Sequence, residues 1–254
     1  MLNPVNYIPI FLLFISSIFA QSVEKINITG NNEFDADDYA NWSRIIIGEK
    51  LVPGLLDSAK TRIASELSDR GYLDFKFDSS VVSLSTDSQK IIINIAVTEG
   101  SPTYVNHFIF TGADSTDTVK VFPLFNFLEG EILSKYDIEQ SVDNSLVYFE
   151  NSGNPFAKII INSVYVYYDS LKNESLADIH LDIQKGKERT IDKIEVLGNA
   201  NTKDYVITRE LRINKGEQYS QSKVDELPKR LNRLRFFDPV QEPQFYINRE
   251  GEGV

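Results

Sequence analysis

Residues 191–217, IDKIEVLGNANTKDYVITRELRINKGE, decide the fold. Ile194 and Val196 alternate with polar neighbours, which predicts a half-buried strand ending at Gly198. Thr202 is then a candidate N-cap for a short helix, and a Gly216-Glu217 pair closes the stretch. Working outward, the same landmarks recur upstream. Gly112 follows Phe108-Ile109-Phe110 and Gly30 follows Ile26-Asn27-Ile28, and in all three places a Gly-Glu pair stands 18 residues on, at Gly48-Glu49, Gly130-Glu131 and Gly216-Glu217. Twenty-three residues further, Gly71 and Gly153 are in register, while the third copy reaches Phe236-Phe237 about four residues early. That is close to one helical turn of about 3.6 residues, so the third copy's second helix is expected to be one turn shorter. Glu99-Gly100 and Lys185-Gly186 close the first two copies, 86 residues apart. The chain is therefore a repeat array with a period of 82 to 86 residues.

Within each copy the hydrophobic period changes in a fixed order. An alternating strand is followed by a short helix with candidate N-caps at Asp35, at Asp114 or Ser115, and at Thr202. After the Gly-Glu pair, steps of three and four put an apolar stripe on a second helix. The stripes are Leu56, Ala59, Ile63, Leu67; then Ile138, Val142, Leu146, Phe149; then Val224, Leu227, Leu231, Leu234. Two strands complete the unit, near Leu73 to Leu84 and Ile91 to Thr98, then Ala157 to Tyr168 and Ala177 to Ile183. The expected fold class is α+β: three tandem β-α-α-β-β units, each a three-stranded sheet covered on one face by two helices. Pro123 and Pro228 fall inside helices and should kink or shorten them, since proline lacks the donor and crowds the preceding turn. In the third copy a strand from Val240 to Asn248 leads to Gly251-Glu252-Gly253, and the sequence stops at Val254 before a last strand. The third unit is expected to be incomplete and the chain to be the N-terminal part of a longer protein.

The first 20 residues are expected to be a signal peptide. Ile8 to Phe19 form an apolar run, too short for a bilayer-spanning helix of about 20 residues, and Ala20 is a plausible residue before the cut. No Lys or Arg precedes the run. The expected divisions are 1–20, then units over 21–101, 102–187 and 188–254.

Composition narrows the function. With 26 Lys+Arg against 37 Asp+Glu, a net charge of -11 and a pI near 4.8, the chain lacks the clustered cations that nucleic-acid phosphates require. Zero cysteine removes disulfides, thiolate zinc sites and thiol nucleophiles.

The third copy, read as Ile191-x-x-Ile194-x-Val196-x-Gly198-Asn199-x-x-Thr202-x-x-x-Val206-Ile207-x-Arg209-Glu210-Leu211-x-x-x-x-Gly216 with Leu231 and Phe237, closely resembles the POTRA (polypeptide-transport-associated) domain of the outer-membrane assembly family that includes BamA and TamA. The first two copies resemble it by spacing. The resemblance implies a periplasmic string of such units on the bacterial outer membrane, followed by a C-terminal β-barrel absent from this sequence. It implies a role in folding and inserting barrel proteins or translocating polypeptides, with unfolded outer-membrane proteins or other polypeptides as clients and further periplasmic or outer-membrane proteins as partners. It also implies that the second strand of each unit, here Asp74 to Ser83, Ile159 to Tyr168 and Val240 to Asn248, is an edge that can accept a client strand. The alternation Val164-x-Val166 and Tyr165-x-Tyr167 assigns aromatics to one sheet face, against the helices or toward solvent.

Catalytic, cofactor and metal residues are expected to be none. His107 and His180 have no carboxylate or nucleophile at motif spacing, and no G-x-S-x-G elbow or phosphate-binding glycine pattern occurs. The acidic run Glu33, Asp35, Asp37, Asp38 lacks the glycine and distal glutamate of a calcium loop and reads as helix capping. Asn27, Asn41 and Asn173 begin N-x-S/T triplets that matter only where exported proteins are glycosylated. Trp42, the only tryptophan, is expected in the first core. The leading expectation is a non-enzymatic periplasmic arm acting by β-strand addition. The alternatives are a soluble repeat scaffold without a barrel and, more remotely, a targeting arm for a downstream hydrolase.

Overall fold

The computed structural model describes residues 21–87, 89–235 and 239–254. The expected signal peptide and the Phe236-Phe237 landmark lie outside them. The chain divides into two compact units, with the main boundary at Ser101–Pro102 and Asp69–Gly71 grouped with the second.

In the first unit the order is β1 (Ser22–Thr29), α1 (Ala36–Ser43), α2 (Leu55–Asp69), β2 (Lys76–Leu84) and β3 (Lys90–Thr98). The sheet order is β1-β3-β2, with β1 parallel and β2 antiparallel to β3. Parallel neighbours need a crossover, and the two helices supply it. Ile91, Ile93, Ile95 and Val97 alternate along the central strand and are buried against Ala59, Ile63 and Leu67 of α2. Trp42 packs on this core from its edge, tilted against Tyr39 with ring centroids 5.0 Å apart.

The second unit repeats the order with β4 (Thr103–Thr111), α3 (Ser115–Val121), α4 (Lys135–Asn151), β5 (Lys158–Asp169) and β6 (Glu174–Gln184), in sheet order β4-β6-β5. Asp114 caps α3 by accepting from the Asp117 N–H. Pro123 acts as expected, since α3 stops at Val121 and 3-10 turns take over. The α4 stripe differs from the expected one. Its buried positions are Ile138, Ser141, Ser145 and Phe149, while Val142 and Leu146 are half-buried. Serine fits there because each hydroxyl donates back to its own helix, Ser141 to the Asp137 carbonyl at 2.9 Å and Ser145 to the Ser141 carbonyl at 2.7 Å. Ser145→Ala is therefore expected to change stability by no more than about 0.5 kcal/mol. Phe149→Ala at the next buried position should cost about 3–5 kcal/mol; thermal unfolding followed by circular dichroism checks the contrast.

The third copy continues the second unit with β7 (Thr190–Ile191), α5 (Asp204–Leu211), β8 (Glu217–Gln218) and α6 (Gln221–Arg233). Three expectations are corrected here. The opening strand is two residues long and does not include Ile194 or Val196, which instead pack onto α5 and α6. Val240 to Asn248 is not a strand: only Ile247 bridges, to Gly253, and Tyr246 and Val254 exchange two 2.9 Å backbone bonds. Both follow from the ladder, because a strand forms where a neighbouring backbone runs alongside. Among the described residues that neighbour is only Glu252–Val254, with Gly253 accepting from Asp192 and Lys193. The N-cap of α5 is Lys203 rather than Thr202. Pro228 shortens nothing locally, since α6 runs through it, yet α6 has 13 residues against 15 in α2 and 17 in α4.

The recurring landmarks are turns with one backbone geometry. Gly30, Gly112 and Gly198 have φ of 82°, 77° and 81°, and Gly48, Gly130 and Gly216 have 92°, 90° and 79°. Each second glycine is the third residue of a turn closed from Glu49 N–H to Ile46 O, Glu131 to Leu128 and Glu217 to Asn214, the position that demands positive φ. Two of the glutamates then fold back, Glu49 onto the Ile46 N–H and Glu217 onto the Asn214 N–H. At the end of the second helix, Gly71 and Gly153 are matched by Arg235 at φ 56°, two residues past α6 as the glycines are past α2 and α4. The missing turn is taken out of α6 and the cap is kept.

Candidate functional site

A three-stranded sheet has two edges, and this chain treats them differently. The opening strand's outer edge is occupied at its start by the segment around the Gly-Glu turn. Val23 N–H donates to Glu49 O at 2.8 Å, Gly48 N–H to Val23 O at 2.7 Å and Leu51 N–H to Gln21 O at 2.9 Å. In the second copy Val105 donates to Glu131, Gly130 to Val105 and Leu133 to Thr103, at 2.9, 2.7 and 2.8 Å. In the third the same contact is the β7–β8 pair. The opposite edges, β2 and β5, have β3 and β6 as their only strand neighbours among the described residues, over 9 and 12 residues respectively. These are the edges expected from the sequence for the first two copies. The third, Val240 to Asn248, is not one.

The two edges differ in chemistry. Natural edge strands are commonly guarded by charge or proline. β2 (KFDSSVVSL) carries Lys76, Asp78 and a run of serines. β5 (KIIINSVYVYYD) has charges only at its ends, and Ile160, Ile161, Val164, Tyr165, Val166 and Tyr168 are all at least 40% exposed. Register decides the faces. Ile161, Val164 and Val166 oppose Leu181, Ile179 and Ala177 on the helix-covered side, and Tyr165 opposes Asp178 on the open side. Tyr165 and Tyr167 stack there with centroids 5.7 Å apart, and Asn106 Nδ2 donates to Tyr167 Oη and to Asp178 Oδ1, both at 2.9 Å.

Two polar joints, the first buried and the second partly so, hold the sheets to their helices, and the sequence marked their positions without their role. Glu99, just past β3 and 2% exposed, accepts from the N–H groups of Asn32 and Glu33 at 2.8 Å, from Phe34 at 3.3 Å and from the Tyr39 hydroxyl at 2.8 Å. Burial works to raise its pKa, but the donors together outweigh it and hold the carboxyl below its ordinary range. Burial first, and the Glu99 carboxylate second, push the Tyr39 hydroxyl far up, so it stays a donor. In the second copy Lys185 stands in the Glu99 position, and the acids have moved to the helix start: its Nζ lies 3.0 Å from Asp117 and 3.6 Å from Asp114. A negative strand end gripping backbone donors is replaced by a positive one gripping carboxylates.

The remaining candidates behave as structural residues. His107 is exposed, with Nδ1 3.6 Å from Glu129 Oε1, and His180 lies on β6 opposite Ser163. The Asp35 N–H donates to Asp38 Oδ2 at 3.1 Å, which is helix-start capping. No cluster of three or more metal-ligating side chains occurs among the described residues.

Tandem β-α-α-β-β modules, each a three-stranded sheet with two helices crossing between its parallel strands, define the class of repeat. The POTRA model, described as a surface antigen variable number repeat, matches residues 21–100 and 189–254. The chain belongs to the POTRA family. It is 28% identical over 203 residues, 78% of its length, to the outer membrane protein assembly factor BamA of Nitratidesulfovibrio vulgaris. It is 23% identical over 230 residues, 86% of its length, to a putative outer membrane protein assembly factor of Treponema pallidum. It spans only 25% and 26% of those two proteins. The crystal structure of Haemophilus influenzae BamA POTRA3-5 superposes with a TM-score of 0.57 at 18% identity, over 92% of this chain and 93% of that one, which supports the same fold.

Proposed function

We propose that this chain is the periplasmic arm of an outer-membrane β-barrel assembly, insertion or translocation protein, with units over 21–101, 102–187 and 188–254 and a barrel beyond them. It takes client polypeptides by adding an extended client segment to an open sheet edge. The observation that carries this reading is the unguarded apolar edge of β5. Roughly five backbone hydrogen bonds at about 0.5–1.5 kcal/mol each, largely offset by the ordering of a flexible client, give weak and reversible capture, with a Kd of about 0.01–1 mM. A relay that must release its client needs that weakness.

The test uses the fact that successive residues of an antiparallel strand point their N–H groups alternately to the neighbour and outward. Of Val164→Pro and Tyr165→Pro, one removes a bond to β6 and the other removes only an outward donor. The variant that keeps its unfolding midpoint is expected to lose binding of an alternating apolar peptide from a barrel protein. In the unaltered protein that peptide should shift amide resonances along β5 and leave β4 alone. Shifts confined to helices, or full binding by the well-folded proline variant, would refute strand addition at this edge.

A further inference from the structure

In the second unit the end of one copy's second helix docks on the start of the next copy's second helix. Asn151 Oδ1 accepts from the Ser220 hydroxyl and the Ser222 N–H, both at 2.9 Å. Gln218 Nε2 donates to the Ser152 carbonyl at 3.0 Å, and the Arg189 N–H to the Gly153 carbonyl at 2.7 Å. The carbonyl-rich end of α4 thus faces the donor-rich start of α6, a favourable meeting of opposite helix poles. The receiving surface is residues 218–225, counted from the Gly216-Glu217 pair.

Counted in the same way from Gly48-Glu49, the first copy's receiving surface is Lys50 to Asp57, with Leu51 in the place of Tyr219, Val52 of Ser220, Gly54 of Ser222 and Asp57 of Asp225. A cavity of about 330 Å³ is lined by Leu51 to Asp57. Its chemistry has changed at the cap: Ser220, whose hydroxyl donates to Asn151, is replaced by Val52, and Ser222, whose backbone N–H donates there while its hydroxyl pairs with that of Ser220, is replaced by Gly54. Val52 is 51% exposed, and the Ile46 and Ile47 side chains of the preceding turn are 69% and 58% exposed. The third copy shows what covers this position when it is filled, and the substitutions say how the occupant differs.

We infer that Leu51 to Asp57 of the first unit is a docking surface for the C-terminal end of a helix from a second polypeptide, one whose last turn is apolar rather than capped by asparagine and serine. The apolar lining receives the last-turn side chains, and the start of α2 faces the carbonyls. This inference is independent of strand addition, because it uses the opposite side of the unit's chain and a helix rather than an extended segment.

The test places a photo-crosslinking phenylalanine at Val52 of the full-length protein in its own cells and maps the adduct residue by residue. Adducts are expected within the last turn or cap of a helix in a second protein, and Pro53→Glu, which adds charge at an exposed position that tolerates it, should cut their yield about tenfold. Adducts on an extended segment, on lipid alone or on the chain's own residues 1–20 would overturn it, as would no adduct at all. The β5 proline variants should leave the Val52 adducts unchanged, which separates failure here from failure of strand addition.

Discussion

Gly30→Ala is expected to destabilise the first unit by about 3 kcal/mol or more, while Gly48→Ala costs about 1–2 kcal/mol. Both glycines have positive φ, 82° and 92°, so both substitutions incur the strain of an L-residue in that region. They differ in what a Cβ would meet. At Gly30 it would stand 2.1 Å from the Val97 carbonyl oxygen, because the loop leaving β1 crosses the end of the central strand, whereas at Gly48 nothing lies within 4 Å. The obstacle at Gly30 is backbone of a core strand and cannot rotate away. Trp42, the only tryptophan, packs on this core and reports its unfolding by fluorescence without interference from the second unit. Equal urea midpoints for the two variants would show that the crossing is looser than the structure has it.

Removing the Glu99 carboxylate should be comparably damaging. Glu99→Ala leaves three backbone donors and the Tyr39 hydroxyl facing a site that is 2% exposed, a loss of about 3–5 kcal/mol. Glu99→Gln keeps an acceptor oxygen and isolates the charge. The folded carboxyl titrates below its ordinary value of 4.5, so the stability it confers is full above that value and is lost as pH falls through the folded pKa. The unaltered protein should therefore exceed Glu99→Gln in Trp42-detected stability at pH 7, with the gap narrowing as the solution is acidified below about pH 4. A gap that stays constant with pH would mean the four donors do not favour the ionised form.

Spacing carried most of the fold. Gly30, Gly112 and Gly198, and the Gly-Glu pairs 18 residues later, were legible because a positive φ at a fixed place leaves a residue that cannot vary freely. The edges β2 and β5 were legible only through the resemblance, since a β-α-α-β-β order of elements does not by itself put the third strand in the centre of the sheet. Three things were not. Ser141 and Ser145 interrupt an apolar stripe by bonding to their own helix, which hydropathy counts as polar. Glu99 and Lys185 showed up as repeat ends, but their partners lie about 65 residues away in the chain and have opposite chemistry in the two copies. The third copy's opening strand was read from alternation at Ile194 and Val196, and Val240 to Asn248 from its place in the repeat. Alternation describes which side chains could face a core, whereas a ladder also needs a neighbour.

The Gly-Glu turn biases where a strand can be added. By pairing with the start of the opening strand in every copy, it shortens that edge and leaves the second strand as the longer open edge of each three-stranded sheet. On the strand-addition reading β2 and β5 are two weak, equivalent-handed sockets on one tether. A client segment held in one is then presented to the other at the effective concentration set by its own slack, so hold time can grow multiplicatively with client length while each separate contact stays easy to break. Short peptides would leave quickly and long unfolded chains would linger, a discrimination by length that requires no sequence preference at either edge.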